Sequence, residues 1–252
     1  MASDSSDIGV TAPPYFAAFG LSATSRLLSA AITNPLDRCK VLLQTRPGTN
    51  PNLPEVIFRG YRGIVPRMAG TFVYSSVHLG FLASIRTDPL SFSSMFMAHG
   101  LAKVVATTLA YPFDTRYTLR ACGITPPAIS QMRPHFPGFG LALLAAPLSV
   151  GCSLLTVSFL GMIFPLTQVS TDYDFVRGVG VGTAGALGGA LCVYPIDTVR
   201  RRVMTGEFTL KQAIGAGRYF RGLPVFVLKA VPESILLTYS YLCNLRYFTF
   251  LS

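Results

Sequence analysis

Residues 195–202 read Pro-Ile-Asp-Thr-Val-Arg-Arg-Arg and follow an apolar segment that carries several glycines. The same order, a proline, an aspartate two residues later and basic residues just after, also occurs in 35–40 and in 112–116. The three prolines lie 77 and 83 residues apart, a spacing too regular for a string of unrelated helices. The chain is therefore predicted to contain a threefold internal repeat.

The composition places this repeat in a lipid environment. Half of the 252 residues are apolar and 13% are charged, and the mean hydropathy is +0.47, which is unusual for a soluble domain. A hydrocarbon core of ~30 Å takes ~20 helical residues. Six stretches of about that length are predicted to span the membrane, two per repeat: residues 13–36, 68–85, 92–113, 139–169, 175–196 and 223–245. The chain, 1–252, is then one domain with repeats of about 13–87, 92–168 and 174–248.

The net charge of +10 bears on which partners the chain can bind. In membrane proteins basic residues line the ends of loops and meet anionic lipid head groups, so lipid is favoured over nucleic acid as a partner. The cysteines lie singly, without a CxxC pair, so neither a disulfide framework nor a metal site is expected. No phosphate-binding loop, Ser/His/Asp order or carboxylate pair indicates an enzyme.

The proline and aspartate of each repeat predict a common structure. A proline late in a helix removes one backbone hydrogen bond and bends the axis, so Pro35, Pro112 and Pro195 are predicted helix kinks. A base three residues after the acid lies on nearly the same helix face. Because a charge near a membrane boundary is costly unless it is paired, the acid of one repeat is expected to bind the base of another. Such pairs would close one mouth of the helix bundle.

This pattern resembles the mitochondrial carrier family. In that family the proline-acid-base motif is followed by an aromatic residue, a base and a glycine, and this chain has Tyr61-Arg62-Gly63 and Phe220-Arg221-Gly222. A run of small residues is also similar to the stripe by which odd-numbered helices of the family pack closely. Its glycines are Gly178, Gly180, Gly182, Gly185, Gly188 and Gly189. The resemblance covers essentially the whole chain.

The resemblance implies an all-α membrane protein of the mitochondrial inner membrane. Six transmembrane helices would surround a pseudo-threefold axis, with short matrix helices between the paired spans. No cofactor is expected apart from structural cardiolipin, which in the family binds at matrix-helix N-termini. Arg62, Gly63, Arg221 and Gly222 match those positions. The alternative is that these basic residues are solvated helix ends.

The resemblance also implies a matrix gate made of interhelical ion pairs. Carried onto this chain, the family pattern pairs Asp197 with Lys40 and Asp114 with Arg200. The third acid, Asp37, faces Tyr117, whose hydroxyl can donate a hydrogen bond but carries no positive charge. A glutamine that braces such a pair in the family has one counterpart here, Gln44.

Two other regions depart from the family pattern. The acids of the cytosolic gate are absent, because their places fall near Ala83, Ser158 and Leu242. An ion-pair gate on that side is therefore not expected. In repeat two the aromatic-base-glycine signature reads Phe136-Pro137-Gly138 and has lost its base, and four prolines within 123–137 oppose a regular matrix helix.

Solute contacts in the family come from the middle of the even-numbered helices, which here correspond to Gly70, residues 145–146 and Lys229. Arg26 and Lys103 each precede a motif proline by nine residues and share a predicted face. Arg26, Lys103 and Lys229 would make an electropositive pocket at mid-membrane, where a charged side chain is functional by default. The competing interpretation is contact with a partner subunit or with lipid head groups.

Two functions remain open at this point. The missing cytosolic acids and the altered second repeat slightly favour a carrier with impaired transport that serves as an accessory subunit of a larger inner-membrane complex, for example of the respiratory chain. The two intact pairs and the cationic pocket support the alternative, an active carrier that exchanges a small anionic metabolite or nucleotide by alternating access. The arginine run 200–202 is similar to that of nucleotide carriers but favours a nucleotide only slightly.

Overall fold

The computed structural model describes residues 15–46, 48, 58–85, 91–127, 136–163 and 172–236. Within these ranges the chain is helical and has no strand. Residues 223–236 are helical up to the last described residue and are called α8. The preceding helices are α1 (Tyr15–Ile32), α2 (Asn34–Thr45), α3 (Ile64–Ser84), α4 (Phe92–Cys122), α5 (Phe139–Ile163), α6 (Asp172–Met204) and α7 (Leu210–Gly215).

Two of these helices are long and apolar enough to cross a membrane, α5 and the part of α6 from Val179 to Met204. They coincide with the predicted spans 139–169 and 175–196. On α5, large apolar side chains such as Leu155 and Phe159 are more than half exposed, which is unusual for a surface in contact with water. The other four spans, in which α1, α3, α4 and α8 lie, stay predictions from the sequence.

The long helices pack against each other in chain order, and the last one, α8, contacts α2. α1 packs against α3, α3 against α4, α4 against α5 and α5 against α6. α2 packs against both α4 and α6. α8 closes the ring, because its Lys229 Nζ lies 2.8 Å from the Asp37 carboxylate of α2. The described helices therefore surround a central space.

The three motif prolines do not occupy equivalent places in the helix assignment. Pro112 and Pro195 lie inside α4 and α6, whereas Pro35 lies in the first turn of α2, just after a break at Thr33. Backbone hydrogen bonds still cross that break, from Thr33 N to Ser29 O at 2.9 Å and from Asp37 N to Thr33 O at 3.1 Å. Repeat one is thus interrupted where the others continue, and the bend at each proline stays a prediction.

A hydrogen bond that the sequence motif did not reveal recurs in all three repeats. In each, the side chain of the residue before the motif proline donates a hydrogen bond to a backbone carbonyl just before the second long helix of the repeat, that is, before α3, α5 or α8. The acceptor lies 26, 26 and 27 residues after the donor. The three bonds are Asn34 Nδ2 to Gly60 O at 2.6 Å, Tyr111 Oη to Pro137 O at 2.6 Å and Tyr194 Oη to Arg221 O at 3.3 Å. These bonds fasten the two helices of each pair together near the motif.

Three glycines that precede α3, α5 and α8 give further equivalence between the repeats. Gly63, Gly138 and Gly222 have φ of 87°, 78° and 88°, a conformation that other residues adopt only with strain. An added Cβ would also lie 3.1–3.3 Å from a residue that follows a motif proline by five places. Those residues are Tyr117 for Gly63, Arg200 for Gly138 and Lys40 for Gly222. Repeat two, although it lacks the base of its signature, has kept this glycine contact.

Part of the predicted glycine stripe forms the contact between α6 and α5. A Cβ added to Gly185, Gly188 or Gly189 would overlap side chains of α5, from Ser153, Thr156 or Val157. Gly180 and Gly182 have no atoms within 4 Å of such a Cβ. Gly178 lies outside the residues whose surroundings are described. Close packing of small residues is thus confined to the half of α6 that is nearer the motif.

The segments between paired helices differ among the repeats. In repeat three, α7 is a helix of six residues whose start is capped by reciprocal hydrogen bonds between Thr209 and Gln212. It matches the position of a predicted matrix helix. In repeat two, residues 123–127 and 136–138 are not helical, as expected for 123–137, and the intervening residues lie outside the described part of the chain.

The substitution Gly189→Ala is predicted to destabilise the protein. Its methyl group would overlap Ser153 and lie 2.5 Å from the backbone oxygen of Ser149, and overpacking of this kind costs about 1–3 kcal/mol. A lower midpoint of thermal unfolding in detergent, followed by circular dichroism, would be the expected result. Gly182→Ala is the matched control, because it adds a methyl group to the same helix in open space. Equal midpoints for the two variants would contradict the α5–α6 contact.

Candidate functional site

Three aspartates, each two residues after a motif proline, lie close together at one end of the ring of helices. Each carboxylate binds cations from other helices or from its own. We call this cluster the charge ring. Its acids are Asp37, Asp114 and Asp197, and its cations are Lys40, Arg67, Arg200, Arg201 and Lys229.

Asp197 connects α6 to α2. Lys40 Nζ lies 3.1 Å from Asp197 Oδ2, and Gln44 Nε2 donates to the same oxygen at 3.3 Å. The ion pair and the glutamine contact that the family resemblance implied are both present. Lys40 Nζ also lies 4.8 Å and 5.2 Å from the ring centroids of Phe226 and Tyr194. Because these aromatic faces attract a cation, they add to the stabilisation of the lysine.

Asp114 connects α4 to α6. Arg200 Nη2 lies 2.9 Å from Asp114 Oδ2 and 2.9 Å from Asp197 Oδ1, so one guanidinium joins two acids of the charge ring. The predicted pair of Asp114 with Arg200 is therefore present. Arg201, which the sequence did not single out, binds Asp197 at 3.3 Å and donates to Thr118 Oγ1 at 3.1 Å.

Asp37 binds two cations that the sequence did not assign to it. It is 8% exposed and binds Arg67 Nη1 at 2.9 Å through one oxygen and Lys229 Nζ at 2.8 Å through the other. Lys229 was expected to grip a solute, but it is ion-paired to Asp37 and to Glu233 at 3.2 Å. Glu233 lies one helical turn further along α8, where its carboxylate reaches Lys229. A solute contact of Lys229 stays a prediction.

Three further arginines, of which Arg38 and Arg202 are buried and Arg46 is exposed, bind the ends of helices and not the charge ring. Arg202 is fully buried and donates to four backbone carbonyls, those of Gln44, Ala213, Gly217 and Arg218, at 2.8–3.4 Å. Arg38 Nε donates to Ala121 O at 3.2 Å, and Arg46 Nη2 donates to Cys122 O at 2.9 Å. Carbonyls at a helix C-terminus lack partners within the helix, so the guanidinium groups satisfy them. The arginine run 200–202 thus has internal partners, which removes its value as an indicator of a nucleotide.

A cavity of about 520 Å³ extends from the charge ring along the axis of the helix ring. This volume lies within the range of ~300–1,000 Å³ that small-molecule sites occupy. The four residues predicted from sequence to face a cavity, Arg26, Gly70, Lys103 and Lys229, all line it. A second cavity of about 540 Å³ adjoins it through Arg26 and Lys103 and is also lined by Ala145 and Ala146.

Two cations of the cavity have no carboxylate partner among the described residues, Arg26 and Lys103. Lys103 Nζ donates a hydrogen bond to Ser149 Oγ of α5. Both cations line the two cavities where these adjoin. His78 and His99 also line the second cavity, and their ring centroids lie 6.0 Å apart. This region can therefore offer positive charge and hydroxyl donors to an anion.

The positions expected to bind cardiolipin lie just before two helices. Gly63 and Gly222 immediately precede α3 and α8, whose first backbone N–H groups have no partner within the helix. Arg62 is exposed, and Phe220, the aromatic residue of the other signature, stacks on Tyr194. This geometry is compatible with a bound phosphate, and cardiolipin binding stays a prediction.

The cytosolic ion-pair gate that we expect to be absent would involve residues that lie largely outside the described part of the chain. Leu242 lies there, as does the side chain of Ala83. Ser158 is exposed on α5. This prediction is neither confirmed nor contradicted.

Comparison with known proteins identifies two carriers of Arabidopsis thaliana as relatives. The calcium-dependent mitochondrial ATP-magnesium/phosphate carrier protein 3 is 27% identical over 248 residues, which cover 82% of this chain and 51% of the relative. The S-adenosylmethionine carrier 1, chloroplastic/mitochondrial, is 30% identical over 178 residues, which cover 62% of this chain and 52% of the relative. The chain spans about half the length of these relatives. No family model matches the chain.

Asp197→Asn is predicted to be among the most destabilising isosteric changes in the charge ring. It removes the acceptor charge of Lys40, Arg200 and Arg201 together, and an uncompensated buried charge costs about 3–5 kcal/mol. The thermal midpoint in detergent should fall markedly. Glu207→Gln is the matched control, because Glu207 is exposed beyond the end of α6 and belongs to no ion pair of the described residues. A fall of equal size in the control would contradict the role of Asp197.

Proposed function

We propose that the chain is a divergent member of the mitochondrial carrier family and forms a six-span, pseudo-threefold bundle in the mitochondrial inner membrane. Its similarity to two carriers with mitochondrial names supports this assignment. So do the interactions repeated three times, namely the hydrogen bond from the residue before each motif proline and the glycine contact just before α3, α5 and α8. A repeat of sequence alone would not require such equivalence in space.

As such a carrier, the protein exchanges a small anionic solute across the membrane. The observation that carries this proposal is the cavity of about 520 Å³ in which Arg26 and Lys103 lack carboxylate partners among the described residues. Uncompensated cations inside a bundle of apolar helices are costly, so they indicate a ligand with negative charge. Lys229 and Arg67 line the same cavity but are ion-paired, both with Asp37 and Lys229 also with Glu233, and they therefore contribute less to binding.

The charge ring supports exchange by alternating access. Its ion pairs join α2, α4, α6 and α8 and close one end of the cavity. To release a solute at that end, the pairs must break, and a ligand can drive this only by its different affinity for the two states. The charge ring therefore serves as a gate. A solute opens it only if its tighter binding to the open state offsets the free energy lost when the ion pairs break.

The class of solute follows from the charge and the volume of the cavity. The guanidinium of Arg26 and the ammonium of Lys103 fit carboxylates and phosphates. One relative is named for ATP-magnesium and phosphate, which makes phosphate-bearing solutes the first to test. The other is named for S-adenosylmethionine, so the second to test are adenosine derivatives.

The comparisons give no support to an accessory subunit of a respiratory-chain complex, the function that the sequence slightly favoured. Both relatives are named as carriers and neither as an enzyme. Copurification in mild detergent separates the two proposals. A stoichiometric complex with other inner-membrane proteins would favour the subunit, and a species that a solute stabilises would favour the carrier.

Anion binding is predicted to depend on Arg26 and Lys103. In the purified chain, labelled phosphate, adenine nucleotides and small carboxylates are tested by thermal shift and by uptake into liposomes that contain cardiolipin. A solute present at a hundred times its Kd should stabilise the wild type by about 2.7 kcal/mol. The double variant with Arg26→Ala and Lys103→Ala should lose both the thermal shift and the uptake.

Lys211→Ala is the control for this experiment, because Lys211 is an exposed cation on α7, away from both cavities. It should bind and transport as the wild type does. Uptake that persists in the double variant would show that these two cations do not form the anion site. Failure of every solute class in binding and in uptake would refute the proposed function.

A further inference from the structure

The charge ring has one joint without a direct ion pair. Lys40 and Arg200 each follow a motif proline by five residues and bind an acid of another helix. The third residue at this offset is Tyr117, which cannot neutralise Asp37. Among the described residues, α2 and α4 are consequently joined by hydrogen bonds but by no ion pair.

Arg67 of α3 occupies this joint. Its Nη1 lies 2.9 Å from Asp37 Oδ2, 3.2 Å from Asn34 Oδ1 and 3.5 Å from Tyr117 Oη. Its guanidinium carbon lies 5.5 Å from the centroid of the Tyr117 ring. One side chain thus contacts an acid on α2 and an aromatic residue on α4 at the same time.

We propose that Arg67 takes the place of the base missing at position 117 and that it latches α2 to α4 by joining Asp37 to Tyr117. This inference deepens the proposed function, because it identifies the residue that closes one joint of the gate. Arg67 is here a positioning residue, since it acts by holding two helices together. In the other two repeats the base lies five residues after the motif proline. Here Arg67 of α3 supplies the positive charge that Tyr117 of α4 lacks.

The local packing of α3 explains how Arg67 can reach this place. Gly70, three residues further along α3, faces α4 so closely that an added Cβ would lie 3.0 Å from Cβ of Phe113. The approach of α3 to α4 brings Arg67 level with Asp37 and Tyr117. Gly70, which the family comparison placed at a solute contact, therefore also serves close helix packing.

Arginine suits this position better than lysine. Its planar guanidinium has five donors, so it can bind a carboxylate and an amide while its face lies against an aromatic ring. Lys229 binds the other oxygen of Asp37, but it comes from α8 and shares its charge with Glu233. It therefore holds α8 to α2 and leaves the joint between α2 and α4 to Arg67.

A disulfide can report whether this joint is closed. Thr45 Oγ1 of α2 lies 3.3 Å from Sγ of Cys122 at the end of α4. In a Thr45→Cys variant, oxidation should join position 45 to the native Cys122 when the joint is closed. The rate of this bond is measured by non-reducing peptide mapping, and no solute is required. The result therefore stands whether or not the protein transports a solute.

Addition of Arg67→Gln to the Thr45→Cys protein should slow disulfide formation roughly tenfold, since the variant removes the cation that joins Asp37 to Tyr117 and leaves Asp37 paired only with Lys229 of α8. Arg59→Gln, an exposed arginine just before α3, is the matched control and should leave the rate unchanged. Arg67→Lys should restore only part of the rate, because it keeps the charge and loses the planar fork.

The combination of Arg67→Gln with Tyr117→Lys gives the decisive result. This change places a base five residues after Pro112, as in the other two repeats, and should restore the rate of disulfide formation to within about twofold of the starting protein. A residue that merely supports folding would not be rescued in this way. If Arg67→Gln alone does not fold, the same combination should restore folding.

Two outcomes would overturn the inference. One is a folded Arg67→Gln protein that forms the disulfide at the unaltered rate. The other is a combination with Tyr117→Lys that restores neither the rate nor the fold. Slow closure in Arg67→Gln with rescue by Tyr117→Lys, in a protein that takes up no solute, would instead refute the proposed function and leave the latch in place.

Discussion

The pairing of three aspartates, Asp37 buried and the other two partly buried, with cations from several helices is the constraint on which this structure depends. Asp37, Asp114 and Asp197 cannot remain charged between apolar helices without partners, because desolvation of a carboxylate costs several kcal/mol. Each acid therefore fixes the distance between its own helix and the helices that supply its cations. The close glycine contacts before α3, α5 and α8 and the hydrogen bonds before the prolines then hold each pair of helices at the same level.

The charge ring also determines what the cavity can do. Its acids form ion pairs with most of the cations near one end of the bundle. Lys229 is one of them and would otherwise face the cavity without a carboxylate partner. Arg26 and Lys103 remain further along the axis without carboxylate partners among the described residues. In the carrier that we propose, the anion site and the gate of ion pairs would therefore be separated along one cavity, and a solute could bind before the gate opens.

Much of the charge ring could be predicted from the sequence, and the reason is its regular spacing. Lys40 and Arg200 follow their prolines by the same five residues, and the family pattern that this spacing resembles assigns them to Asp197 and Asp114, which they bind in the structure. Arg67 could not be assigned in this way, because it has no counterpart in the other repeats. The sequence does place Arg67 one helical turn after Gly63, which indicates that it lies level with the acids. Spacing does not show toward which neighbouring helix its side chain points.

By itself, the sequence determined where the apolar segments and the three proline-aspartate motifs lie, because these are properties of residue type and spacing. Through its resemblance to a known family, the sequence also predicted two of the ion pairs. Only the tertiary structure decided that Asp37 binds Arg67 and Lys229, that Arg202 binds carbonyls, and that Arg26 and Lys103 stay unpaired within the described chain. These outcomes depend on how closely helices from different repeats approach each other. That approach is set by packing at positions such as Gly70, where the absence of a side chain matters only once a neighbour is present.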